Sequence, residues 1–109
     1  MKYLTRKTNI RTRVELIDRI KNRTHNYNRF CADALSEFMR RYSFGYLTDS
    51  EKLFIAGINN DLFGTTAWKA ETRLITYRLK TIDLDLVQMS SLTLSRVFNA
   101  ALLAKLNND

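Results

Sequence analysis

The chain has 109 residues, is 45% hydrophobic and carries a formal net charge of +7, a composition that supports a packed core and excludes compositional disorder. No apolar run approaches the ~20 residues of a membrane span, and no apolar stretch follows Lys2, Arg6 and Lys7, so neither a membrane contact nor a secretory leader is expected. Cys31 is the single cysteine, which rules out an internal disulfide and makes a cytoplasmic compartment the default expectation.

A short strand is predicted near Leu4–Thr8. Asn9 is then read as the N-cap of a helix from about Ile10 to Arg23, because Ile10, Val14, Ile17 and Ile20 recur on one helical stripe. Thr24-His25-Asn26-Tyr27 breaks that pattern. Asn28 is read as the cap of a second helix to about Tyr42, with Phe30, Ala34, Leu35 and Phe38 inward and Cys31 as small core filler. All three glycines, Gly45, Gly57 and Gly64, fall between residues 43 and 67, which marks a connector. Within it Thr48 stands three residues before Glu51, the spacing of a capping box, and Leu53, Phe54, Ile55 and Ile58 give the short helix an apolar face. Thr72–Lys80 has the near-alternating Leu, Ile, Thr and Tyr of a strand. Thr81 is read as the cap of a helix with Ile82, Leu86 and Met89 inward. After a turn at Ser90–Thr93, a last helix runs from about Leu94 to Leu106, with Val97, Ala101, Leu102 and Leu106 inward.

The order strand, helix, helix therefore occurs twice: a first unit over residues 1–42, a connector over 43–70 and a second unit over 71–109. Leu4-Thr5-Arg6-Lys7 aligns with Ile75-Thr76-Tyr77-Arg78, and Arg29-Phe30 and Ala34-Leu35 align with Arg96-Val97 and Ala101-Leu102. The two alignments differ in spacing by about one helical turn, which a shortened first helix in the second unit would absorb. The expected fold class is mainly α with a short two-stranded antiparallel β-ribbon. A lone strand with two helices cannot bury its apolar faces, so the two units are expected to pair into one compact domain. A pseudo-dimer within one chain is preferred over a homodimer.

Charge is uneven along the chain. Residues 1–42 hold 11 Lys and Arg against 4 acids, whereas residues 43–109 hold 7 of each. A field of that kind attracts a polyanion, with nucleic acid first. A two-stranded ribbon is narrow enough for the major groove of duplex DNA. Side-chain alternation puts Thr5, Lys7, Thr76 and Arg78 on one face as candidate base-reading residues, and Leu4, Thr8, Ile75, Tyr77 and Leu79 on the other. An alternative register turns Asn9, Arg11 and Arg13 outward, and Arg6 is expected to reach out from the inner face past its own stem. The second helices open with Asn28-Arg29 and Ser95-Arg96, four candidate phosphate-binding residues, since helix N-termini suit phosphate.

This arrangement resembles the ribbon-helix-helix (MetJ/Arc-like) family of bacterial DNA-binding proteins, over residues 2–42 and 71–106. The tandem layout is similar to the TraY-type proteins of conjugative plasmids, most visibly at Lys2-Tyr3-Leu4-Thr5 and Lys21-Asn22-Arg23-Thr24. The resemblance implies sequence-specific binding at a promoter or a transfer origin. The role would be that of a transcriptional regulator or a relaxosome accessory factor that bends DNA and assists a relaxase.

Other chemistry is not expected. The chain has no phosphate-cradling glycine loop, no Cys/His metal spacing and no nucleophile-base pair, so no catalytic residue, metal or cofactor is assigned. His25 reads as a turn residue, Asp83 and Asp85 point different ways on their helix, and Phe63 and Trp68 read as packing residues. The alternative function is a small protein-binding inhibitor or antitoxin-like module of phage or plasmid origin.

Overall fold

A computed structural model describes residues 4–59, 61–63 and 71–108. The fold is mainly helical, with one two-stranded antiparallel sheet. The elements in chain order are β1 (Thr5–Arg13), α1 (Val14–Lys21), α2 (Tyr27–Phe44), α3 (Asp49–Ile55), a 3-10 turn at Asp61–Phe63, β2 (Thr72–Lys80), α4 (Thr81–Met89) and α5 (Leu94–Asn108). Among the described residues no helix is long and apolar enough to cross a membrane.

The first strand is longer than the sequence suggests. β1 continues through Asn9, which is mid-strand and caps nothing, and α1 starts at Val14 instead of Ile10. Thr8, Ile10 and Thr12 are β-branched at alternate positions, which favours extended backbone once a partner strand is present. Ile10 is buried, but from the strand; the buried stripe of α1 is Leu16, Ile17 and Ile20. Thr81 likewise is the first residue of α4, not its cap. Neither α1 nor α4 has a side-chain cap. Instead, the Val14 amide donates to the Glu71 carbonyl at 3.0 Å and the Thr81 amide to the Leu4 carbonyl at 2.9 Å. Backbone entering the opposite strand thus satisfies an otherwise orphaned helical amide.

Helix α2 is capped by Asn26 rather than Asn28: the Asn26 side chain accepts from the Arg29 amide at 3.2 Å. It runs two residues past Tyr42 and ends at Gly45, whose φ of +75° lies in the left-handed region that glycine adopts without strain. The capping box of α3 forms as expected between Thr48 and Glu51. Its apolar face is narrower than expected, since Phe54 and Ile55 are buried while Leu53 and Ile58 are exposed. In α4 the inward stripe is Leu84 and Val87; Ile82 and Met89 are 66% and 80% exposed, so Met89 is not core. Helix α4 is apolar on several sides, so periodicity alone did not select its buried face. In α5 the inward residues Val97, Ala101, Leu102 and Leu106 are as expected, joined by Phe98, Asn99 and Ala100.

The core lies between the inner face of the sheet and helices α2 and α5, where Cys31, Leu35, Ala100 and Leu102 are fully buried. Each of these two helices bonds the strand from the other end of the chain. The Asn28 side chain on α2 takes the Arg78 amide of β2, and the Asn99 side chain on α5 takes the Arg13 amide of β1, both at 2.9 Å. Corresponding elements open at Thr5 and Thr72, at Val14 and Thr81, and at Tyr27 and Leu94, each pair 67 positions apart. β1 and β2 also share one order of exposed and buried positions along their nine residues. This single spacing corrects the strand alignment read from the sequence. Thr5-Arg6 corresponds to Thr72-Arg73 and Arg11 to Arg78, with no helical turn lost between them. The Arg29/Arg96 and Ala34-Leu35/Ala101-Leu102 matches keep the same spacing of 67.

Candidate nucleic-acid interface

Strand geometry sorts side chains by parity. In β1 the even positions Ile10 and Thr12 are buried; in β2 the odd positions Tyr77 and Leu79 are buried. The opposite face carries Thr5, Lys7, Asn9 and Arg11 from β1, and Thr72, Leu74, Thr76 and Arg78 from β2, all exposed. Thr5, Lys7, Thr76 and Arg78 thus share one open face. The two registers weighed from the sequence merge, because in a strand continuous to Arg13 the residues Thr5, Lys7, Asn9 and Arg11 have the same parity. Arg13 itself is half-buried, its guanidinium bonded to Glu15 at 2.9 Å and lying 4.0 Å from the Phe63 ring centre. Leu4, expected inward, lies beyond the strand and is exposed.

Lys7 pairs across the ribbon with Arg78, Asn9 with Thr76, and Arg11 with Leu74. The Arg78 guanidinium donates to the Thr5 hydroxyl at 3.2 Å, and the Thr76 hydroxyl donates to the Asn9 side-chain oxygen. Neither strand contains an acid, while β1 carries Arg6, Lys7, Arg11 and Arg13 and β2 carries Arg73, Arg78 and Lys80. The neutral balance of residues 43–109 therefore hides a wholly basic strand. Arg6 reaches out from the inner face to within 3.5 Å of Asp85, with both side chains half-exposed.

The buried side of the sheet is held by a chain of hydroxyls. Tyr27 and Tyr77 are linked oxygen to oxygen at 2.8 Å, Tyr77 and Thr12 at 2.7 Å, and Thr12 donates onward to the Ile10 carbonyl at 3.2 Å. Burial, partly offset by the hydrogen bonds with Thr12 and Tyr27, pushes the Tyr77 hydroxyl up to about 12. Burial together with the bond to Tyr77 raises Tyr27 well above the usual tyrosine range. Tyr77 also meets Phe98 at 4.6 Å between ring centres, so the sheet is tied to α5 as well as to α2.

The beginnings of α2 and α5 differ. On α2, the Asn28 side chain accepts from the Arg78 amide at 2.9 Å and donates to its carbonyl at 3.0 Å, so this side chain is committed to the ribbon edge. Arg29 projects into solvent, its side chain 78% exposed and 4.0 Å from Asp33 one turn on. On α5, Ser95 is half-buried, and its carbonyl accepts from the Asn99 side chain at 2.7 Å. Arg96 turns to the connector, where it donates to the carbonyls of Phe54 and Asn59 and lies 4.4 Å from the Phe54 ring centre. The equivalent arginines Arg29 and Arg96 thus have different surroundings.

Asn9 and Arg11, offered by the sequence only in the alternative register, join the open face because β1 continues by parity to Arg13, and Leu74 joins it by the alternation of β2. Asn99 was missed. It is 6% exposed and bonds Arg13, Arg11 and Ser95, and a polar residue in the apolar register of α5 was its only signal. His25 is exposed in its turn, and among the described residues no group of His, Cys, Asp and Glu could hold a metal ion. Phe63 packs on Phe54 at 5.1 Å, while Gly64 and Trp68 lie outside the described residues. No protein-family model matches the chain, and no curated protein or solved structure matches it.

Proposed function

We infer that this chain binds double-stranded DNA in a sequence-specific manner, as two ribbon-helix-helix units of one polypeptide that pair to lay a single β-ribbon in the major groove. The observation that carries the reading is the open face of the ribbon. It joins Thr5, Lys7, Asn9, Arg11, Thr76 and Arg78 on two strands without an acid, backed by a packed helical layer. Lys and Arg donate to guanine acceptors, Asn can bond adenine in bidentate fashion, and Thr bonds bases or meets a thymine methyl. The single spacing of 67 between elements and the bonds from α2 to β2 and from α5 to β1 support a pairing of like units within one chain.

In this reading Arg29 and the first turn of α2 hold phosphate beside the ribbon, while Asn28 fixes the distance between that turn and Arg78. Ser95 and the first turn of α5 form the second flank, with Arg96 held beside it by the carbonyls of Phe54 on α3 and Asn59 beyond it. Such a protein acts as a transcriptional regulator or as a relaxosome accessory factor alongside a relaxase.

The test is selection from a random duplex pool, followed by titration of the selected site at several salt concentrations. If about six phosphates are neutralised, affinity falls roughly a thousandfold or more between 50 and 200 mM salt. Binding that ignores salt, or equal affinity for random duplex, defeats the reading. A second reading, docking to a protein, draws on Phe44 and Tyr46 at the start of the connector. These rings are 67% and 72% exposed and 6.2 Å apart. Stoichiometric capture of one partner with no shift of any duplex would favour it.

A further inference from the structure

The two ends of the open ribbon face carry unlike chemistry. Positions related by the spacing of 67 are Lys7 and Leu74, Asn9 and Thr76, and Arg11 and Arg78. Because the strands run antiparallel, Lys7 lies opposite Arg78 at one end and Arg11 lies opposite Leu74 at the other. One end is thus a pair of cations, and the other is a cation beside an isobutyl group that is 58% exposed. Like charges directly opposite each other destabilise a ribbon. Among the described residues Lys7, Arg11 and Arg78 make no ion pair, and the Arg78 guanidinium bonds the neutral Thr5 hydroxyl. An exposed leucine between hydrogen-bonding neighbours adds nothing to the core beneath it. Both features weaken the free ribbon and suit a surface that presents acceptors at one end and a methyl group at the other.

Building on the DNA-binding reading above, we propose that the ribbon reads a site of fixed polarity, with guanines under Lys7 and Arg78, and a guanine next to a thymine under Arg11 and Leu74. Two basic side chains side by side match the O6 and N7 acceptors of guanine, whereas an apolar side chain can meet only the C5 methyl of thymine in the major groove. Leu74 is then the residue that sets orientation. With Asn9 and Thr76 near the centre, it makes the site non-palindromic, and it prevents the chain from binding equally well when turned end for end.

The full chain is used to select duplexes from a random pool, and each thymine of the selected site is then replaced in turn by uracil, which removes only the methyl group. The expected consensus is non-palindromic. Uracil at one position weakens wild-type binding about fourfold, the worth of one buried methyl, and leaves Leu74→Ala unaffected. Leu74→Lys gives both ends a pair of cations and selects a site whose two ends match, with any remaining asymmetry confined to the centre under Asn9 and Thr76. Because Leu74 is exposed, Leu74→Ala keeps the wild-type thermal midpoint; Leu74→Lys sets a cation opposite Arg11 and lowers it only slightly, so a change in preference is separated from a loss of fold. A palindromic wild-type consensus, or a site with no uracil-sensitive thymine, overturns the proposal while leaving DNA binding intact. Failure to enrich any sequence removes the DNA-binding reading itself.

Discussion

Asn28 holds the backbone of Arg78 at both of its polar atoms, taking the amide proton at 2.9 Å and donating to the carbonyl at 3.0 Å. Asn99 does comparable work on β1, bonding the Arg13 amide and the Arg11 carbonyl, each at 2.9 Å. Both outer edges of the two-stranded sheet are thereby terminated by carboxamides at the equivalent arginines 11 and 78. Unpaired edges invite pairing with other chains. Asn99 is the more buried, so Asn99→Ala is expected to cost about 2–3 kcal/mol and Asn28→Ala about 1 kcal/mol. Urea unfolding measures both, and hydrogen exchange at the Arg13 and Arg78 amides should quicken in the matching variant.

Arg78→Ala is expected to separate binding from stability. It removes a cation opposite Lys7, so the unfolding free energy should hold or rise by about a few tenths of a kcal/mol. Discrimination of the selected duplex from its guanine-substituted form should fall by about 1–3 kcal/mol. A parallel loss of stability and binding would mean that Arg78 is structural.

Raising pH should unfold the protein through its buried tyrosines. The folded values of Tyr77 and Tyr27 lie above the unfolded tyrosine value of about 10. Their contribution is therefore complete below pH ~10 and is lost as pH rises through the folded value, about 12 for Tyr77. Tyrosinate absorbance of these two rings should appear together with the loss of helical circular dichroism. Tyr77→Phe leaves the Tyr27 and Thr12 hydroxyls short of a partner, at a cost of about 1–2 kcal/mol.

Acid should act first on the connector helix. Burial works against a charge on Glu51, but the Arg41 guanidinium, bonded at 3.0 and 2.7 Å, and the bonds with Thr48 together outweigh it and hold this carboxyl below its ordinary value. A lowered carboxyl contributes stability above the unfolded value of about 4.3 and loses it as pH falls through the folded value. Glu51→Gln also weakens the capping box on Thr48 and should cost about 1–2 kcal/mol at neutral pH. The difference between the two proteins, followed by denaturation at each pH, should close as pH falls below the ordinary carboxylate range.

Cys31 should report unfolding. Burial pushes its thiol up to about 12 and no part of the side chain is accessible. Labelling by a thiol reagent at neutral pH should therefore track the population of the opened state, and fast labelling of the native protein would contradict its position in the core.

Legibility in the sequence followed the physical source of each signal. β2, the capping box at Thr48 and the inward face of α5 were readable because alternation, cap spacing and helical period each spoke alone. The start of α1 was not, because Ile10 fits both the helical stripe that includes Ile17 and the period-two face that includes Thr12; pairing with β2 decides between them. The inner face of α4 was hidden because Ile82, Leu84, Leu86, Val87 and Met89 are apolar together. On the open face, Thr5, Lys7, Thr76 and Arg78 were found by alternation, whereas Asn9 and Arg11 entered only as a rival register because the strand was ended too early. The tie of Arg96 to the Phe54 and Asn59 carbonyls depends on how the connector returns, which no local pattern encodes.

The pairing of Thr5–Arg13 with Thr72–Lys80 also governs how the molecule comes into being. During translation the earlier segment has nothing to zip against until more than seventy residues have left the ribosome, so the nascent polypeptide must wait before its central layer can close. Once closed, both halves belong to a single molecule, and dilution to a few copies per cell does not pull them apart.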